Sequence, residues 1–161
     1  MNTFILKPIN HLKYSWISLM FLLMVPCVSI FTGDLDILTF IILWAFSGLF
    51  YFCGLKLHYT YFKLDRYKSI TIDEALNVTI SNNLYINSFC LDELDCIINI
   101  HSGLQNRTPW NEYNFSIFKL KNGQKFTITC LILDLEEIEK NFPKEVILKR
   151  NVFYSSLKIK N

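Results

Sequence analysis

Residues 14–32 and 37–55 contain no charged side chain, and beyond residue 65 apolar side chains recur at every second position. The chain therefore changes period once, from long apolar helices to strands with one buried face. The core of the first run, residues 16–25, is continuous enough for a bilayer span, which needs about 20 residues at about 1.5 Å each. Pro26 is expected to kink this helix rather than end it. Thr32-Gly33-Asp34-Leu35-Asp36 is a tight polar turn, so the two runs form an antiparallel hairpin, and in a bilayer both must be helical.

Lys7 and Lys13 precede the first run, and Lys56, Lys63, Arg66 and Lys68 follow the second, while the turn carries only acids. By the positive-inside rule both termini are cytosolic. Tyr14, Trp16, Tyr51, Tyr59 and Tyr61 supply an aromatic belt at the same interface. A signal peptide is the weaker reading, because no small-residue cleavage site follows and a second span comes at once. The expected location is the inner (plasma) membrane, multi-pass.

The next segment alternates: Ile70 and Ile72, then Leu76, Val78 and Ile80, then Leu84 and Ile86, then Leu94, Cys96, Ile98 and Ile100. Four strands are expected before residue 102, with turns at Asp73-Glu74 and Asn82-Asn83. Loop 102–111, with Gly103 and Pro109, breaks the pattern. Segments 113–121 and 124–131 flank Asn122-Gly123, which suits a type I′ hairpin turn. In the first of them the apolar phase slips between Ile117 and Phe118, which implies a bulge or burial of both faces. Asp134 caps a short helix with Leu135, Ile138 and Phe142 on one face and Pro143 as its stop. The tail 144–161 is basic, and its apolar triplets, Val146-Ile147-Leu148 and Val152-Phe153-Tyr154, leave open whether it packs on the sheet or on the membrane.

Composition sharpens this picture. With 52% hydrophobic residues and a mean hydropathy of +0.27, the chain is more apolar than is usual for a wholly soluble protein. A net charge of +2 is too small to suggest nucleic-acid binding, which calls for a basic domain with Lys and Arg gathered on one face, and no nucleic-acid partner is expected. Five irregularly placed cysteines read as free thiols. The expected organisation is a cytosolic segment 1–13, the hairpin 14–55, a juxtamembrane collar 56–65, a β domain 66–143 with its helix, and the tail 144–161.

His58-Tyr59-Thr60-Tyr61-Phe62 leaving the membrane, Thr108-Pro109-Trp110 before Tyr113, and Leu120-Lys121-Asn122-Gly123-Gln124-Lys125 running into Thr127-Ile128-Thr129 carry a resemblance. The arrangement resembles bacterial membrane proteins with two transmembrane helices and a C-terminal pleckstrin-homology-like (PH-like) domain. That resemblance implies an α+β fold, a bent antiparallel sheet or barrel with one C-terminal helix. In eukaryotic relatives a basic β1–β2 loop binds inositol phosphates. The corresponding turn here is read as Asp73-Glu74-Ala75, which is acidic and argues against that ligand.

Candidate chemistry is sparse. Cys90, Cys96 and His101 lack the spacing of a zinc knuckle, and Cys96 shares the phase of Leu94 and Ile98. Asp92, Glu93 and Asp95 lack a calcium-loop pattern and read as a solvated turn, as Glu136, Glu137 and Glu139 read as a helix's solvent face. His11, His58 and His101 are not grouped by anything in the sequence. No nucleophile elbow, P-loop or dinucleotide fingerprint occurs, and the spans hold no ionisable group of the kind that lines ion paths. Asn77-Val78-Thr79, Asn106-Arg107-Thr108 and Asn114-Phe115-Ser116 match the glycosylation pattern by chance on a cytosolic domain. No catalytic residue, metal site or cofactor is expected.

The leading expectation is a non-enzymatic binding or scaffolding module, contacting a protein partner or a second copy of itself through Trp110 and Tyr113 or an exposed strand edge. The alternative is an anionic-lipid or envelope-stress sensor, with Lys56, Tyr59, Tyr61, Lys63, Arg66 and Lys68 on lipid headgroups. An interfacial enzyme, resting on Cys90, Cys96 and His101, comes third.

Overall fold

The computed structural model describes residues 1–33, 36–102, 110, 112–152 and 157. Asp34 and Leu35 of the polar turn, most of loop 102–111 with its Asn106-Arg107-Thr108 match, and Phe153 and Tyr154 of the tail lie outside the described residues.

The chain begins with a strand that its sequence does not announce. β1 (Asn2–Ile5) pairs antiparallel with β2 (Ser69–Ile72), from Asn2 opposite Ile72 to Ile5 opposite Ser69. Between them stand α1 (Pro8–Thr32) and α2 (Ile37–Asp65), which pack on each other. The expected N-terminal segment 1–13 is thus divided between the sheet, which takes residues 2–5, and α1, which takes residues 8–13, and a strand pair continues directly into a helix pair. Pro8 opens α1, where its missing N–H costs nothing. α1 passes through Pro26 and ends where Gly33 turns left-handed at φ 69° and donates to the Ser29 carbonyl at 3.2 Å. Asp36 caps α2 by accepting from the Thr39 amide at 2.9 Å. α2 then runs through the expected collar, 56–65, as helix.

β3 (Val78–Ser81) and β4 (Ile86–Phe89) complete a four-stranded sheet in the order β1-β2-β3-β4. The second sheet holds β5 (Leu94–Ser102), β6 (Asn114–Leu120), β7 (Lys125–Thr129) and β8 (Ile147–Val152) in the order β7-β6-β5-β8. α3 (Leu135–Asn141) lies between β7 and β8 in the chain, so the expected terminal helix is followed by a strand, which pairs with β5 in parallel. The segment 147–152 of the tail therefore packs on the sheet. Ile70, Ile72, Val78, Ile80 and Phe89 of the first sheet meet Ile97, Phe118, Leu120 and Ile128 of the second, and Ile138 and Phe142 of α3 close one end. Each such side chain contributes about 1.5–3 kcal/mol by leaving water.

Four local expectations need correction. The hairpin turn at Asn122-Gly123 is not type I′. Gly123 alone takes positive φ, 89°, and its amide donates to the Leu120 carbonyl at 2.9 Å, a type I turn closed by a glycine bulge. Leu76 is not the start of a strand but sits at φ 60° in the β2–β3 turn, where the Asp73 carboxylate accepts from the Asn77 amide at 2.8 Å. Leu84 and Ile86 keep the apolar phase yet are 91% and 74% exposed, at the tip and edge of the first sheet. In β5 the register shifts between Leu94 and Cys96, so Ile97 and Asn99 are buried on one face and Ile100 on the other. β6 carries no register shift and is buried on both faces, the second of the two readings given for it.

Candidate functional site: the seam between helices and sheets

The last turns of α2 have two unlike sides. Leu57, Tyr61 and Asp65 are buried, while Lys56, Tyr59, Lys63 and Arg66, three or four residues apart, share an exposed stripe on the other side. The buried side meets the first turns of α1 and the second sheet. Tyr14, Leu57, Tyr61, Trp110, Tyr113, Phe115 and Leu131 make one cluster there.

Polar groups lock this seam at three places. Asp65, fully buried, accepts from the Thr129 amide at 2.9 Å, the Thr129 hydroxyl at 2.7 Å and Lys68 Nζ at 3.1 Å. Burial pushes its carboxyl above the usual range, and Lys68 and Thr129 oppose that rise. Lys68 also donates to the Thr127 carbonyl at 2.8 Å, which joins α2 to β7.

Asp134 is the second lock. One oxygen caps α3 at the Leu135 amide, 2.7 Å away; the other accepts from Tyr14 Oη at 2.8 Å and Lys13 Nζ at 2.9 Å, both on α1. Burial alone would raise the carboxyl, but the bonds from Lys13 and Tyr14 outweigh it and hold it below its ordinary value. Asn10 adds a bond from its side-chain amide to the Leu131 carbonyl at 2.7 Å.

The third lock is a chain of rings. His11 Nδ1 and His58 Nε2 lie 2.8 Å apart, and His58 Nδ1 lies 2.8 Å from Tyr113 Oη, so α1, α2 and the start of β6 share one line of hydrogen bonds. Burial first, and His11 second, depress the His58 pKa to about 4, so the imidazole is neutral at pH 7. A neutral imidazole has one donor and one acceptor nitrogen, which suits a single line of bonds through it.

Of the residues expected at a lipid or partner surface, Lys56, Tyr59, Lys63 and Arg66 are exposed together. Tyr61, Trp110 and Tyr113 are buried in the seam instead, and the side chain of Lys68 is 9% exposed in its pair with Asp65. Trp110 stacks on Phe50 of α2 with ring centres 5.8 Å apart. Trp110 and Tyr113 thus attach the chain just before β6 to the helices. Cys96 and His101 fall on opposite faces of β5. Among the described residues no three His, Cys, Asp or Glu side chains gather as metal ligands. The buried Cys130 thiol is pushed up by burial, away from thiolate chemistry. His11 and Asp134 belong to the seam although the sequence groups the first with nothing and marks the second only as a cap.

A family model described as a PH domain matches residues 3–141, a span that includes both long helices. The chain belongs to that PH domain family. Searches against curated proteins and against solved structures give no match. With β1 at Asn2–Ile5, seven strands precede α3 among the described residues, and the β1–β2 connection contains α1 and α2. The acidic Asp73-Glu74-Ala75 turn is the β2–β3 connection, so it is not the counterpart of the headgroup-binding loop.

Proposed function

We propose that this protein is a membrane-anchored PH domain in which the β1–β2 connection has become the anchor, and that the domain serves as a non-enzymatic binding or scaffolding module on the cytosolic side. The carrying observation is the exposure of apolar side chains around both helices below the seam. Leu19, Leu23, Ile30 and Phe31 on α1, and Ile37, Ile41, Trp44, Phe46, Leu49 and Phe52 on α2, face outward. A core helix of a soluble protein buries such residues, and an outward apolar surface of this size requires lipid or protein around it. Among the described residues, α2 is the helix long and apolar enough to cross a membrane by itself. In this reading residues 14–32 and 37–55 cross the inner (plasma) membrane, both termini are cytosolic, and the seam fixes how the domain stands on the bilayer.

With Trp110 and Tyr113 committed to the seam, the partner surface passes to the other expected feature, an exposed strand edge. β4 ends the first sheet, and Leu84 and Ile86 stand out from it. A protein partner, or a second copy of this chain, would add along that edge. A photo-crosslinking residue at position 84 in native membranes is expected to capture a discrete adduct, and Ile86→Glu to remove it while changing stability by less than about 0.5 kcal/mol. Absence of any adduct would overturn this surface; a doubled mass would identify self-association.

The exposed stripe favours a second reading, recognition of anionic lipid. Along a helix normal to the bilayer, Arg66 sits about 15 Å beyond Lys56, more than a Debye length of about 8 Å at physiological salt. Lys56 and Tyr59 therefore carry the contact, at about 1 kcal/mol per cation. In nanodiscs, Lys56→Gln is expected to lower the bound fraction of spin-labelled anionic lipid severalfold, Arg66→Gln to leave it nearly unchanged, and added salt to reduce both. Equal effects of the two changes would remove this reading.

A further inference from the structure

A cavity of about 550 Å³ opens between α3 and the paired strands β5 and β8. Its walls are Asn99 and His101 of β5, Lys149 and Asn151 of β8, and Leu135 and Glu139 of α3. Parallel pairing sets Asn99 beside Lys149 and His101 beside Asn151, so these polar side chains share one face of the sheet. One apolar pair, Ile97 and Ile147, occupies that face further along, where Ile97 lies in the core. The polar residues stop the core short and leave a groove.

Asn99 forms the floor. It is 1% exposed, and its Oδ1 accepts from the Ser116 hydroxyl at 2.7 Å. Its Nδ2 is buried without a hydrogen-bond partner. A buried amide left unpaired costs about 1–3 kcal/mol, and an apolar residue of similar size would avoid that cost. At the mouth, Lys149 Nζ lies 2.7 Å from the Glu139 carboxylate, with both side chains well exposed. A carboxylate thus already fits against Lys149, held by an ion pair weak enough to exchange.

We infer that this groove binds a small carboxylic acid bearing a neutral carbonyl a few atoms away, such as an N-acylated amino acid. Its carboxylate takes the place of Glu139 on Lys149, and its carbonyl accepts from Asn99 Nδ2. The order of the two ends follows from desolvation: the exposed mouth tolerates the charge, whereas the buried floor takes the neutral acceptor. Leu135 offers an apolar wall for the side chain between them. The site is distinct from the seam and from the edge of β4, and does not depend on membrane insertion.

The test uses the full chain in detergent micelles, labelled with nitrogen-15, and N-acetylalanine as probe. Saturable shifts of the Asn99 side-chain amide are expected at millimolar probe. Propionate, which lacks the carbonyl, and N-acetylalaninamide, which lacks the carboxylate, are each expected to bind at least tenfold more weakly. Lys149→Ala, at an exposed position, is expected to weaken binding about tenfold, the equivalent of one charge-assisted hydrogen bond. Glu139→Gln frees Lys149 and is expected to tighten binding severalfold. An amide that does not move, binding indifferent to Lys149→Ala, or loss of affinity in Glu139→Gln would each overturn the assignment.

Discussion

Replacing Asp65 with alanine is expected to destabilise the protein by about 3–5 kcal/mol, measured by chemical or thermal unfolding in micelles. The carboxylate is the acceptor for the Thr129 amide, the Thr129 hydroxyl and Lys68 Nζ, all within 3.1 Å. Its loss strands a buried amide and a nearly buried ammonium group at once. Asp65→Asn keeps the volume and an acceptor oxygen, and should cost less. The double variant Asp65→Ala with Lys68→Met removes the stranded charge and is expected to recover part of the loss, because an unpaired buried charge costs more than an absent pair. A loss below about 1 kcal/mol for Asp65→Ala would mean that α2 is not locked to β7 in this way.

Lowering the pH from 7 to 5 is expected to loosen the seam, with His58 as the principal cause. Its folded-state pKa of about 4 lies below the ordinary value of 6.5. Between those values the unfolded chain binds the proton and the folded chain resists it. Stability from this group is thus complete above pH 6.5 and is lost as pH falls toward 4. Allowing for its part exposure to solvent, the loss by pH 5 is about 1–2 kcal/mol. Asp134 acts with the same sign at lower pH, since its depressed pKa makes its contribution disappear as pH falls through and below the ordinary carboxylate range. His58→Gln keeps a donor and an acceptor but does not titrate, so its unfolding should be nearly flat from pH 7 to 5. The same slope in wild type and variant would show that another group governs the acid response.

The periodic parts of this fold were legible because they are long. Two charge-free runs and a shift to alternating apolar residues gave the helices and most strands, and Asp134 followed by Leu135, Ile138 and Phe142 gave α3 with its cap. β1 escaped because four residues, Asn2–Ile5, are too short to establish a period, and the partner strand lies beyond two helices. β8 escaped because Lys149, Arg150 and Asn151 break its alternation where one face meets a polar groove rather than a core. In β5 a bulge after Leu94 exchanges the two faces, so Asn99 is solvent-facing by the alternation of Leu94, Cys96, Ile98 and Ile100 but buried in the fold.

The seam was hidden for a different reason. His11 and His58 are far apart in the chain, as are Tyr14 and Asp134, and pairing of that kind is a property of the folded backbone rather than of local pattern. Trp110 and Tyr113 illustrate the ambiguity most clearly. An aromatic residue in a loop after a strand suits a partner surface and an internal anchor equally well, and Phe50, which decides between them, belongs to another element.

We propose that the β1–β2 connection of this PH domain crosses the bilayer and returns, leaving the sheets on the cytosolic side. It is tested most directly by single cysteines, placed at Asp34 and at Asn122 in a background without the native five, and a membrane-impermeant thiol reagent applied to intact cells. Labelling is expected at position 34, and none at position 122 until the cells are opened. Labelling at 122 in intact cells, or none at 34, would contradict it.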